Sequence, residues 1–274
     1  MKKVLAVCLI LALVAVPAGV SRAAPVTIPD KALEAALKAV LLEPKEGLTD
    51  ENIVNVFVLE AVGKKIKDLT GLEKCKNLAL LRLTNNEVAD VKALKDLTNL
   101  QSLDLAGNQV ADIGPLAGLT KLQYLELTGN KVTSVAPLAN LSALSALYLS
   151  KNQVSDVAPL AKLTKLSSLY LDGNKISDIK PLAAITRLST LDLKDNAITD
   201  LAPLGKQTDL RMLFLERNKV ADLGPLVAAC EADAKGEKRF APFLRLFLAG
   251  NPLSEEAKGK QLPALKAVGV RLEN

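Results

Sequence analysis

The residues best equipped for chemistry in this chain are its carboxylates, and their spacing limits what they can do. Asp90, Asp112, Asp156, Asp178, Asp200 and Asp222 recur at one position of a 22-residue period, with Ser134 in the remaining place. A calcium ion needs several oxygen ligands converging on it, and one acid per period with no acidic neighbour does not provide them. The local assignment is better: an Asp or Ser ahead of a tight helical turn accepts hydrogen bonds from that turn's free amides. Asp192 paired with Asp195, or Asp172 with Asp192, has the composition of a glycosidase dyad. Both pairs fall on an open surface with no cleft to desolvate them. The chain has no His, which removes His-dependent triads and His metal sites. Cys75 and Cys230 have no base partner at a recognisable spacing, and Gly107, Gly129 and Gly173 stand singly rather than in a phosphate loop. No catalytic, cofactor or metal set follows, and the chain is not expected to be an enzyme.

Recognition chemistry remains. The chain carries three Tyr and five Phe. Tyr124, Tyr148, Tyr170, Phe214 and Phe247 fall in one set of strand positions, together with Arg82, Asp104, Glu126, Asp172, Asp192 and Glu216. Such rings suit interfaces because they have little rotamer freedom to lose. Acidic flanks favour a basic partner surface. The bland alternative is that aromatics suit strands and pack on one another across a sheet. Only the first reading predicts a partner.

What must position these side chains is a repeat. Leu122, Leu125, Leu127, Asn130, Val132, Val135, Pro137 and Leu138 return 22 residues later as Leu144, Leu147, Leu149, Asn152, Val154, Val157, Pro159 and Leu160. The unit is Leu-x-x-Leu-x-Leu-x-x-Asn-x-(Val/Ile)-x-(Asp/Ser)-(Val/Ile/Leu)-x-(Pro/Ala)-Leu. It runs in register seven times, with first leucines at Leu78, Leu100, Leu122, Leu144, Leu166, Leu188 and Leu210. A leucine-rich repeat of this period implies a stacked α/β solenoid, because one coil cannot bury its own apolar face. Strand side chains alternate in direction, so the leucines point inward and the residues between them face out. Asn86, Asn108, Asn130, Asn152, Asn174, Asn196 and Asn218, with Asn251 offset, form an inward ladder whose amides must be hydrogen-bonded.

The ends differ in texture. Lys2 and Lys3 precede an apolar run from Val4 to Ala18, with small residues up to Ala23. This reads as a secretory signal over 1–23, cleaved after Ala23, and Cys8 inside the run argues against lipoprotein processing. The expected localisation is therefore exported: periplasmic, cell-surface or extracellular, with no membrane span once the signal is removed. Residues 24–61 read as an N-terminal helical cap. One helix follows Asp30, with Leu33, Leu37, Val40 and Leu41 on one face; a second starts at Thr49, with Leu48 stapled to Ile53. The repeats span 56–253: a degenerate first coil (Val56 to Asn77), seven regular coils, and a last coil displaced by an 11-residue insertion. There the register returns at Phe243, Leu246, Leu248 and Asn251. The insertion, Ala228 to Lys238, reads as a short helix on the convex or lateral side. Residues 254–274 read as a C-terminal cap, a helix from Ser254 and a strand over Val268 to Leu272. Cys75 and Cys230 lie about seven coils apart, on the order of 30 Å, beyond the reach of a disulfide.

Charge excludes one class of partner. Removing Lys2, Lys3 and Arg22 from 35 basic residues leaves 32 against 30 acidic ones, a net of +2. These charges are scattered rather than clustered on one face, so nucleic acid is not an expected partner.

The 22-residue unit ending in Asp-(Ile/Val/Leu)-x-Pro-Leu, together with the helical segment and the Ile66-to-Glu73 coil before it, resembles the internalin-type bacterial leucine-rich repeats. The likeness runs from about Val26 to Leu253. It implies a right-handed superhelix with a concave parallel sheet that binds another protein. No immunoglobulin-like domain and no wall-sorting module follows the coils, so host-cell attachment is not carried over. The expectation is a monomeric, non-catalytic, secreted protein-binding module with no cofactor. Carbohydrate binding and a structural role in the envelope are the alternatives.

Overall fold

The computed structural model describes residues 23–273; the expected signal segment, including Cys8, lies outside them. Ten three-residue strands form one parallel sheet in chain order. They are β1 (Val58–Glu60), β2 (Leu80–Arg82), β3 (Ser102–Asp104), β4 (Tyr124–Glu126), β5 (Ala146–Tyr148), β6 (Ser168–Tyr170), β7 (Thr190–Asp192), β8 (Met212–Phe214), β9 (Arg245–Phe247) and β10 (Arg271–Glu273). From β2 to β8 each strand pairs with the one 22 residues on; β8 and β9 pair at a spacing of 33, Phe214 with Phe247. The middle residue of every strand from Leu59 to Leu246 is fully buried, and one continuous core runs from Ile28 to Val270.

The ladder asparagines join coil to coil. Asn152 Nδ2 donates to Leu127 O in the preceding coil (2.9 Å) and to Leu149 O in its own (3.1 Å), while its Oδ1 accepts Val132 N at 2.9 Å. The pattern holds from Asn86, which reaches the degenerate coil at Ala61 O and Ile66 N, to Asn251, which reaches Leu215 O and Val220 N. The residue before each ladder Asn has a left-handed backbone. Gly107, Gly129, Gly173 and Gly250 fill four of these places, and Asn85, Lys151, Asp195 and Arg217 fill the others with φ between 53° and 56°. On the opposite side, Asp90, Asp112, Asp156, Asp178, Asp200 and Asp222 each accept the amide two residues on, at 2.8–2.9 Å. Ser134 does the same at 3.3 Å. Single 3-10 turns follow, with Pro fixing φ near their start where it is present.

At the N-terminal end, α1 (Lys31–Val40) turns Leu33 and Leu37 into the core and leaves Val40 40% exposed, off the expected apolar face. Asp30 ties this helix to the first coil: its carboxylate accepts Ala32 N and Leu33 N on one oxygen, Lys67 N and Asp68 N on the other. The second expected helix is a correction. Thr49 and Asn52 form the reciprocal capping pair, with Leu48 and Ile53 buried, but the helical turn runs only Ile53–Asn55. Val56 is already extended, because Leu59 must enter β1.

Two more corrections fall at the other end. The inserted helix, α2 (Gly224–Lys235), begins four residues before Ala228, because the Asp222-capped turn at Pro225 continues as α-helix. It packs against the preceding 3-10 turn, Ala202–Lys206. Phe243 is 56% exposed rather than inward; Phe240 and Leu244 fill the core on either side of the Ala241–Phe243 turn. Beyond the last coil, Ser254 Oγ accepts Ala257 N, a π-helical turn leads into α3 (Leu262–Ala267), and β10 pairs with β9. Cys75 and Cys230 are separate buried thiols, and burial pushes both up to about 12.

Candidate functional site

The strand register sets the outward residues in rows. One row runs Arg82, Asp104, Glu126, Tyr148, Tyr170, Asp192, Phe214 and Phe247; beside it lies Ser102, Tyr124, Ala146, Ser168, Thr190, Met212 and Arg245. Strands in a sheet are about 4.8 Å apart, so rings on neighbouring strands meet. Tyr148 stacks on Tyr170 with centroids 4.7 Å apart and planes 12° off parallel, and Tyr124 leans on Tyr148 at 5.3 Å. Phe214 stacks on Phe247 at 4.4 Å. All five rings are half-buried. The sequence set therefore resolves into two ring stacks, with Asp192 between them.

The carboxylates are more occupied than free flanks would be. Asp104 Oδ1 accepts Ala106 N, Glu126 Oε1 accepts Thr128 N and Asp192 Oδ1 accepts Lys194 N, at 2.7–3.0 Å, so acids of this row tie down the amide two residues on. Asp104 also accepts Thr84 Oγ1 (2.8 Å) and faces Arg82, which reaches Glu60 at 3.5 Å. Ser150 Oγ donates to Asp172. Asp192 is a correction to the expected acidic rim: it is 4% exposed and pairs with Lys194 Nζ at 3.1 Å. Burial raises its pKa, and Lys194 only partly offsets that. Glu126 is raised by burial first, then by Asp104 and Asp172 nearby. Tyr124 is pushed up to about 12 by burial, Glu126 and Asp104. One oxygen of Glu216, Oε2, is shut from solvent without a hydrogen-bond donor.

The expected set omits two cations that matter. Lys194 Nζ sits 5.1 Å from the Phe214 ring centroid and the Arg245 guanidinium 5.7 Å from that of Phe247. Arg245 stands in one of these rows and Lys194 two residues past Asp192 in the other, which was the available signal. Among the described residues no group of His, Cys, Asp and Glu could hold a metal ion, and no helix is long and apolar enough to cross a membrane.

Two copies of a leucine-rich-repeat family pattern match residues 98–140 and 142–184. No curated protein sequence matches the chain. Among solved structures, internalin C2 from Listeria monocytogenes is 33% identical, with a TM-score of 0.72 over 76% of this chain and 94% of that one. The chain belongs to the internalin-type leucine-rich-repeat family. A second Listeria monocytogenes internalin, inlF, is 26% identical with a TM-score of 0.59, covering 92% of this chain and 93% of its own. The internalin-type chain also resembles the repeat ectodomain of the membrane receptor kinase GASSHO1/SCHENGEN3 from Arabidopsis thaliana, solved in complex with Casparian strip integrity factor 2. That likeness has 25% identity and a TM-score of 0.57, over 69% of this chain and 26% of the receptor ectodomain. Internalin-type repeat chains are protein-interaction modules, and the matched family is a repeat family rather than a catalytic one.

Proposed function

We propose that this chain is an exported, non-catalytic module that binds a protein partner through the concave face of its sheet. The observation that carries the reading is the pair of half-buried ring stacks, Tyr124–Tyr148–Tyr170 and Phe214–Phe247, on a sheet face that no second layer of the described chain covers. A parallel sheet is ordinarily covered on both faces, and aromatic clusters are where interface energy concentrates. The receptor ectodomain with its bound protein factor shows that this fold can hold a protein ligand. Arg82, Asp104, Glu126, Asp172 and Glu216 frame the contact surface. Export rests on the segment before Ala24. Cleavage after Ala23 leaves a new terminus whose nitrogen lies 2.9 Å from Asp50 Oδ1.

The test is capture of partners from the organism's own extracellular and envelope fractions, comparing wild type with Tyr148→Ala/Tyr170→Ala/Phe214→Ala. The expected result is loss of the partner with an unchanged circular dichroism spectrum; a folded variant that keeps every partner refutes the reading. Amino-terminal sequencing of the mature protein should begin at Ala24.

A further inference from the structure

The two ring stacks differ in what already lies on them. The Phe pair carries the chain's own cations, Lys194 over Phe214 and Arg245 over Phe247, and Arg211 lies 5.3 Å from the Phe243 centroid in the same way. Among the described residues no cation lies over Tyr124, Tyr148 or Tyr170. Yet this is where carboxylates gather, with Asp104 and Glu126 on the strands before the stacked pair and Asp172 two residues beyond Tyr170. From β3 to β8 the two outward rows, together with the position two residues past each strand's end (Asp172, Lys194 and Glu216 among them), hold five carboxylates and one ammonium, Lys194, which Asp192 neutralises. Beyond residue 23 the chain is close to neutral, 32 basic against 30 acidic residues, so the acidic balance is local to this stretch. Aromatic faces attract cations most strongly when solvent is excluded, and a carboxylate beside the ring supplies the other half of a guanidinium site.

We infer that the partner presents an arginine-bearing strip whose guanidinium groups lie on the outer faces of the Tyr124–Tyr148–Tyr170 stack, those no neighbouring ring covers, and fork to Glu126 and Asp172. This rests on the concave face being the binding surface. Arginine is favoured over lysine because its planar fork can stack on a ring and meet a carboxylate with two parallel hydrogen bonds. The same charge repels phosphate backbones. Neutral sugars, which also stack on rings, are the outcome to be separated.

The molecule provides its own probe, since it has three Tyr, no Trp, and all three Tyr are in this stack. The experiment titrates the full chain with a ten-residue alternating Arg-Gly peptide, following tyrosine emission and heat. Citrulline-Gly and Lys-Gly peptides and a neutral oligosaccharide serve as comparisons. We expect the Arg-Gly peptide to shift tyrosine emission, to weaken with added salt, and to bind roughly tenfold tighter than the citrulline peptide. The Lys-Gly peptide should fall between them. Glu126→Gln/Asp172→Asn keeps the acceptors for Thr128 N and Ser150 Oγ, so it should fold normally and lose about the same factor. Equal affinity for the citrulline peptide, tyrosine shifts with the oligosaccharide alone, or unchanged affinity in the carboxamide variant overturns the inference. If those results come while the ring variant still loses its natural partner, the concave-face reading survives and only the guanidinium assignment falls.

Discussion

The inward and outward sides of the same short strands obey different rules. Inward, Leu125, Leu147, Leu169 and Leu191 are one residue type, fully buried, in one environment repeated coil after coil. Outward, their immediate neighbours Glu126, Tyr148, Tyr170 and Asp192 are two acids and two aromatics at one repeat position. The inside is constrained by its neighbours in the stack, whereas the outside is free to vary and so carries what is particular to this molecule. The positions to search for function in such a chain are those where the repeat imposes no residue type.

Adjacent residues test this most severely. Leu147→Ala should cost about 3 kcal/mol through the cavity it leaves, while Tyr148→Ala, half exposed next to it, should cost under about 1 kcal/mol; urea midpoints measure both. If the two were equal, the ring stack would be a second core rather than a contact surface. Next comes Asn152→Ala, which orphans Val132 N in the coil before it and leaves Leu127 O with Asn130 Nδ2 as its one remaining amide donor; it should cost about 2 kcal/mol. Gln207 then offers a change of opposite sign. It is fully buried where other coils have Leu119, Leu141, Leu163 and Ile185; its Oε1 has no donor, and Leu182 O, which its Nε2 reaches, is already bonded by Ile185 N. Gln207→Leu should therefore stabilise by about 1 kcal/mol, or a melting shift of roughly 3 °C for a chain this size. Lys151→Gly should gain somewhat less, up to about 1 kcal/mol, by relieving a left-handed side-chain residue at a site that Gly129 and Gly173 fill freely.

The smallest effect is a matter of pH. Glu126 is held above the ordinary 4.5 by burial and by Asp104 and Asp172, so its charged form is disfavoured in the folded chain. Stability is therefore lost as pH rises through its raised value. Glu126→Gln should be slightly more stable than wild type at pH 7, with the gap closing below pH 4.5. A gap that widened in acid would place Glu126 in an attractive pairing instead.

Where the sequence was legible, one environment recurred. The leucines, the ladder asparagines and the Asp caps could be placed because each coil repeats the last one's surroundings. Legibility ended where a position had no counterpart. After the insertion, Phe240 and Phe243 sit three residues apart with no neighbour to set the register, and the buried one was not the one that spacing selected. At Thr49 the capping signature was sound, but the demand that Leu59 enter the sheet cut the helix to a single turn. Asp192 counted as a surface acid because strand alternation turns it outward; its burial comes from Tyr170 and Phe214 on the neighbouring strands and from Lys194 beside it, a crowding that alternation does not encode.

The Asn ladder also has a mechanical consequence. Each rung holds only the coil next to it, so a pull on the ends would peel the stack from its termini rather than break it all at once. Every coil that lets go pays out 22 residues, about 75 Å of extended chain. A protein anchored at one end and holding a partner in its curve would thus yield to drag in discrete steps, lengthening like a ratcheted tether before its grip is lost.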